Sequence, residues 1–161
     1  CQITASRNLV FCYANNNMYL QRFQKLIHGV KNQFPNSPWI TTQQVEDLLK
    51  SQKVILVDSR LKDEFKVSRI PSAVNIPIST KGPEIKQKLM DANICQNTKI
   101  INYCAVSLRS SMMTNKIQKL INEDPDLKFI HPENLLNMEG AIFKWAIENR
   151  HLIDENGNST K

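Results

Sequence analysis

A short apolar run that stops at a cysteine and passes within a few residues into a helix constrains this chain more than any other feature. Lys99-Ile100-Ile101-Asn102-Tyr103 leads into Cys104; Ala105-Val106-Ser107-Leu108-Arg109-Ser110-Ser111 follows, and Met112 to Ile121 continues at helical spacing. The order is strand, tight loop, helix start, with a thiol at the hinge. A loop that curls ahead of a helix N-terminus turns its backbone N–H groups inward and adds the positive end of the helix dipole. Such a place favours a thiolate over a thiol and draws anions. The thiolate is the nucleophile, so the segment predicts cysteine chemistry.

The segments on either side repeat the alternation. Val54-Ile55-Leu56-Val57 and Ala73-Val74-Asn75-Ile76 read as strands, as do Lys99–Tyr103 and Asn134–Met138. Val54–Val57 is a continuous apolar run, long enough for a buried strand and too short for a helix. Helices are expected after Thr41, from Pro83 to Met90, from about Ser107 to Asn122, and from Ala141 to Asn149. Thr41 has Gln44 three residues on, a capping-box spacing, with Val45, Leu48 and Leu49 as the apolar face. Asp63 to Val67 allows one or two helical turns, and Trp145 reads as core. Strands alternating with helices predict an α/β fold, a parallel sheet with helices on both faces. Binding sites in such sheets lie at the carboxyl ends of the strands, where Cys104 stands.

Ahead of this domain, Leu20, Phe23, Leu26, Ile27 and Val30 predict an amphipathic helix over 19–30. Asn15-Asn16-Asn17 reads as a loop before it, and Gly29 with Phe34-Pro35-Asn36-Ser37-Pro38 as its end. The expected organisation is an N-terminal extension over 1–38, a domain over 39–154 and a frayed tail over 155–161. The formal charge of +6 is unevenly placed: residues 1–45 hold Arg7, Arg22, Lys25 and Lys31 and no acid. An acid-free, amphipathic start reads as an organellar, mitochondrial targeting region, with Cys1 either a processed N-terminus or a point inside a longer product, or nearly as well as a basic arm that docks in a protein complex. The cations are scattered along the chain rather than clustered with aromatics, so no nucleic-acid partner is expected. There is no apolar run of 18 residues, and hence no expected transmembrane helix. Cys1, Cys12, Cys95 and Cys104 form no CxxC pair, so neither a disulfide framework nor a metal site is expected. His28, His131 and His151 share no spacing that would make any of them a base.

Four blocks together resemble the rhodanese (sulfurtransferase) domain. Val57-Asp58-Ser59-Arg60 is similar to that family's strand ending in Asp-x-Arg. Glu64-Phe65-Lys66-Val67-Ser68-Arg69-Ile70-Pro71-Ser72-Ala73-Val74-Asn75-Ile76-Pro77 resembles its E-[FY]-x-x-G-H-I-P-G-A-x-N-I-P stretch. Cys104 to Ser110 resembles its active-site loop, C-x-x-G-x-R-S. Met138-Glu139-Gly140-Ala141-Ile142-Phe143-Lys144-Trp145 resembles its closing L-x-G-G-x-x-x-W. The resemblance implies sulfur transfer in two covalent steps, with Cys104 as the nucleophile that becomes a persulfide. It implies that the loop Ala105, Val106, Ser107, Leu108, Arg109 and Ser110 binds the substrate. Asp58, Arg60 and Glu64 then support the loop's neighbours, the last two as a pair. The partners implied are a small sulfur donor and a thiol or cyanide acceptor, with no cofactor and no metal.

The departures from the pattern fall on its glycines. Ser68, Ser72, Ser107 and Ala141 stand where the pattern has glycine, and Arg69 where it has histidine. A serine in a left-handed turn costs roughly 1–2 kcal/mol, so Ser107 either distorts the loop or is accommodated there. Arg109 reads either as loop organiser and anion contact or as a helix-start arginine paired with a carboxylate. The phosphatases that share the fold place five residues between cysteine and arginine; here four intervene, which suits a sulfur atom better than a phosphoryl group. A second class of function, a weakly active or inactive structural subunit docked through residues 1–38, also fits the lost glycines.

Overall fold

The computed structural model describes the backbone of residues 3–160 and the side chains from Met18 to Thr160. Cys1, read above as a processed N-terminus, and the side chains of Arg7 and Cys12 lie outside the described residues. The domain alternates strand and helix: β1 (Trp39–Ile40), α2 (Thr42–Ser51), β2 (Val54–Asp58), α3 (Lys62–Val67), β3 (Val74–Asn75), α4 (Gly82–Asp91), β4 (Lys99–Tyr103), α5 (Leu108–Glu123), β5 (Leu135–Met138) and α6 (Ala141–Ile147). It is preceded by α1 (Ile3–Gln33) and followed by β6 (Leu152–Ile153) and β7 (Ser159–Thr160). The first five strands make one sheet in the order β1-β5-β4-β2-β3, every pair parallel.

The apolar runs read as strands do so because the sheet is covered on both faces. Side chains alternate across a strand, so Ile55, Val57 and Ile100 join one core with Ile85 and Leu89 of α4 and Met113, Ile117 and Ile121 of α5. Leu56, Ile101 and Tyr103 join the opposite core with Val45 of α2 and Ala141, Ile142 and Trp145 of α6. Full burial of each such side chain contributes about 1.5–3 kcal/mol. The Thr41–Gln44 capping box is formed. Trp145 is core as expected, its indole N–H donating to the carbonyl of His151 at 3.0 Å. No described helix is long and apolar enough to cross a membrane.

Three local expectations are corrected. Asn15-Asn16-Asn17 is helical rather than a loop, and α1 runs on past Gly29 to Gln33. Asparagine and glycine in a helix interior cost only up to about 1 kcal/mol each, too little to stop a propagating helix. The tail is not frayed. β6 and β7 pair antiparallel, Leu152 with Thr160 and Ile153 with Ser159. Asp154 turns this hairpin: one carboxylate oxygen accepts from the amides of Asn156 and Asn158, each at 2.9 Å, while Gly157 takes φ 80°. Arg69 and Ile153 exchange backbone hydrogen bonds at 2.8 and 2.9 Å, which ties the hairpin to the domain. Finally β1, two residues long, is a strand that no periodicity marks.

The serines and alanine that replace glycine keep its backbone at three positions of four. Ser72, Ser107 and Ala141 have φ of 63°, 74° and 50°. Ser68 is extended, with φ −159°, where any residue is at ease. Gly140 has no such freedom to change: at φ 70°, a Cβ there would meet the Lys144 side chain at 2.7 Å. Ser72 is the exposed member of the left-handed set. Ser72→Gly is expected to raise the unfolding free energy by about 0.5–1 kcal/mol through relief of that conformation. The check is a higher urea midpoint at unchanged slope; a lower midpoint would show the serine side chain to be worth more than its backbone strain.

Candidate active site

Cys104 follows β4 directly, at the carboxyl edge of the sheet, and is 1% exposed. The chain turns through Ala105 and Val106 to Ser107, the N-cap of α5, in the left-handed region at φ 74°. That turn is held from several sides. The Ser107 hydroxyl donates to the carbonyl of Met138 at the end of β5, at 2.9 Å. The Ser107 carbonyl accepts from the Ser110 hydroxyl at 3.1 Å, the Ser111 hydroxyl at 2.7 Å and the Ser111 amide at 3.0 Å. The Ile142 and Phe143 amides at the start of α6 donate to the carbonyls of Cys104 and Ala105 at 3.1 and 3.2 Å. The carbonyls of Cys104, Ala105 and Ser107 are thus occupied. Among the described residues the amides of Ala105, Val106, Ser107, Leu108, Arg109 and Ser110 have no acceptor. They are free donors at the head of a 16-residue helix, where the helix dipole adds to them.

The charged residues beside the loop sort into two clamps. Asp58 is fully buried and grips Arg60: the Arg60 Nε reaches both carboxylate oxygens at 3.0 and 3.1 Å, and Nη2 reaches one at 2.6 Å. The Arg60 amide also donates to Asp58 at 2.9 Å, and its guanidinium to the Ser68 carbonyl. Asn75 donates to the carbonyls of Asp58 and Arg60, fixing the turn after β2. Tyr103 lies under this pair, its guanidinium neighbour 6.0 Å from the ring centre. Burial, and then the Asp58 charge, pushes the Tyr103 hydroxyl well above its ordinary range, so it stays neutral. The second clamp is Glu64 with Arg109, bidentate at 2.6 and 2.8 Å. The Arg109 hydrogen bonds hold the Glu64 carboxyl down at about 2. Glu64 in turn raises Arg109, to which the adjacent Cys104 also contributes.

A family profile described as Rhodanese-like domain matches residues 41–148. The chain belongs to the rhodanese-like domain family. Its sequence is 24% identical over 112 residues to the tRNA uridine(34) hydroxylase of Buchnera aphidicola subsp. Baizongia pistaciae, an alignment covering 70% of this chain and 33% of that protein. The chain spans about a third of the length of such curated relatives. Its fold is similar to the thiosulfate sulfurtransferase of Pseudomonas aeruginosa, with a TM-score of 0.59 and 20% identity over 82% of this chain and 23% of that one. The human single-domain sulfurtransferase superposes with a TM-score of 0.53 and 21% identity, covering 70% of this chain and 98% of that one.

In this rhodanese-like domain the expected site residues are gathered around one strand end. Cys104 and the loop to Ser110 form a single cradle, and Asp58, Arg60 and Glu64 stand against it. Their pairing differs from the expected one: Arg60 binds Asp58, and Glu64 binds Arg109. Arg109 is paired with a carboxylate and also lies beside Cys104. The histidines stay apart from the cradle: His131 meets Gln96, and His28 lines a groove against α1. No group of side chains suited to a metal occurs among the described residues. Ser111 and the Met138 carbonyl were not anticipated. The double serine after Arg109 was a visible signal for the first, whereas a backbone carbonyl leaves none.

Glu64 gives the site a pH signature. Its folded-state value of about 2 lies below the ordinary 4.5, so the clamp stabilises fully above the ordinary value and is lost as pH falls through about 2. The pair is partly exposed, and solvent screening limits its worth to about 1 kcal/mol. Glu64→Gln is expected to lower stability by about 0.5–1 kcal/mol near neutral pH. The gap between the two proteins should close between pH 4.5 and 2, as followed by urea midpoints. A gap independent of pH would show that the clamp is not what sets the Glu64 ionisation.

Proposed function

We propose that this domain is a sulfurtransferase that carries sulfane sulfur on Cys104. The observation that carries the reading is the run of unpaired amides from Ala105 to Ser110 that follows Cys104 at the head of α5. These donors stabilise negative charge on the attacking sulfur and on the persulfide it becomes, without a metal ion. In the first step the Cys104 thiolate attacks the outer sulfur of thiosulfate. The sulfur–sulfur bond of thiosulfate breaks, sulfite leaves with the bonding pair, and Cys104 holds a persulfide anion. In the second, a thiolate or cyanide takes the outer sulfur and returns Cys104 as thiolate. No proton transfer is needed within either step, which agrees with a site that offers no histidine.

Two features favour sulfur over phosphoryl transfer. Four residues intervene between Cys104 and Arg109, and the Arg109 fork is already filled by Glu64. A phosphoryl group of three terminal oxygens would need that fork free. Near-complete burial of Cys104 further favours a small donor, or a persulfide delivered by a chain that opens the loop.

The test is intact-mass spectrometry of the reduced protein after incubation with thiosulfate, then with cyanide. The expected result is the gain of one sulfur, lost to cyanide and absent in Cys104→Ser. No gain with thiosulfate or with low-molecular-weight persulfides, in folded protein, would overturn the reading.

A second reading, an interaction subunit docked through its arm, is supported by α1, which leaves Tyr19, Leu20 and Leu26 exposed. On that reading deletion of residues 1–35 releases the protein from a larger assembly in size-exclusion chromatography of native extract, while Cys104→Ser does not. Elution of both variants with the intact chain would remove it.

A further inference from the structure

Beside the sulfur site the fold gathers cations that are scattered in the sequence. A trough of about 1040 Å³ lies along the β3 edge, between α3 and α4. Its walls carry Lys62, Lys66, Arg69, Lys81 and Lys88 against two carboxylates, Glu84 and Glu155. Only Lys88 among the five has an ion-pair partner among the described residues, Glu84 at 3.9 Å. Lys62, Lys66, Arg69 and Lys81 have no carboxylate within ion-pair distance among the described residues, although Asp154 of the hairpin is close enough to feel the Arg69 charge. Concentrating like charges in a concave surface raises the local potential and draws anions from solution. A trough of this volume exceeds a small anion such as a sulfur donor and has room for a chain of anions.

We infer that the trough binds a single-stranded nucleic-acid segment along its phosphate backbone. Three observations select this occupant over an acidic peptide. The Arg69 guanidinium lies 4.9 Å from the Phe65 ring centre, a cation on an aromatic platform of the kind on which bases stack. Lys62 and Lys66 stand one helical turn apart beside that platform, and Lys81, just before α4, lines the same trough. Ser79 and Thr80 add side-chain hydroxyls to the lining, suited to phosphate oxygens. Here cations and an aromatic are interleaved in space, although they are dispersed along the chain. The reason for expecting no nucleic-acid partner is thereby removed.

The trough is also joined to the sulfur site. Lys62, Phe65 and Lys66 lie on the face of α3 opposite Glu64, the residue that holds Arg109. One short helix therefore has a nucleic-acid wall on one side and the loop clamp on the other. The inference does not depend on sulfur transfer, and the experiment reads the two separately.

The test is fluorescence anisotropy of a labelled single-stranded RNA oligomer against the full chain at a series of salt concentrations. Saturable binding is expected at low salt, with log K falling against log salt at a slope of about −2, the value for about three phosphates on a single strand. The double variant K66E/K81E is expected to weaken binding at least tenfold and to flatten the slope. Its circular dichroism, and its Cys104 persulfidation by thiosulfate, should match those of the unaltered chain. Binding that is undetectable at low salt, or unchanged in K66E/K81E, would overturn the inference. So would loss of binding only in R22E/K25E on α1, or equal affinity for polyglutamate of the same length. Failure of persulfidation with RNA binding intact would count against the sulfurtransferase reading and leave this one standing.

Discussion

The left-handed turn at Ser107 is the constraint on which the site depends. It reverses the chain between β4 and α5, and so sets where the unpaired loop amides after Cys104 lie. A serine in that conformation is held there against a cost of roughly 1–2 kcal/mol. Several hydrogen bonds on its own hydroxyl and carbonyl, each worth about 1 kcal/mol, offset it. Two of those bonds come from Ser110 and Ser111, one turn into the helix that the bend begins. The third reaches across to β5. The turn is thus locked to both elements whose meeting it creates, and glycine's freedom has been replaced by external restraint.

Around it the two ion pairs divide the labour. Asp58 and Arg60 are buried together and fix the turn after β2; a charge pair so placed is costly to break, because either partner alone would be stranded without water. Glu64 and Arg109 are half in solvent, worth less, and connect α3 to the start of α5. The sheet between them has separate apolar cores on its two faces, and its buried Asn102 and Asn137 tie β4 and β5 to Thr114 and Ser111 of α5. Rigid neighbours on every side explain how a loop of a few residues keeps six amides unpaired.

Much of this was legible in the residues, for identifiable reasons. The runs Val54–Val57 and Lys99–Tyr103 announced themselves because strands buried on both faces are apolar without alternation. Cys104, Arg109 and the intervening loop were legible because they are contiguous. What escaped was either short or distant. Trp39–Ile40 is too brief to show a period. The partner of Arg109 sits 45 residues away, and a choice among carboxylates at that range leaves no local mark. The hairpin after Leu152 did carry a signal, the Asp-Glu-Asn-Gly-Asn turn, which was outweighed by its position at the end of the chain. The asparagines at 15–17 misled because their liking for loops is a preference of tenths of a kcal/mol, easily overruled in a long helix.

The pairing of β1 with β5 has a consequence for the order of assembly. Trp39 and Ile40 lie beside Asn137 and Met138, almost a hundred residues further along the chain, with the Pro38 and Ile40 carbonyls accepting from Asn137 and Glu139. A contact closed over so long a loop carries the largest entropic cost in the sheet and rewards the chain only after the intervening strands have formed. During synthesis the first strand must therefore wait for the last one to emerge. The arm is seated by the same event, since Lys31 of α1 pairs with Glu139 just beyond β5 at 2.7 Å. Arm and edge strand form the last unit to close and the first to open, a seam at which the finished domain can loosen while the cysteine cradle stays intact.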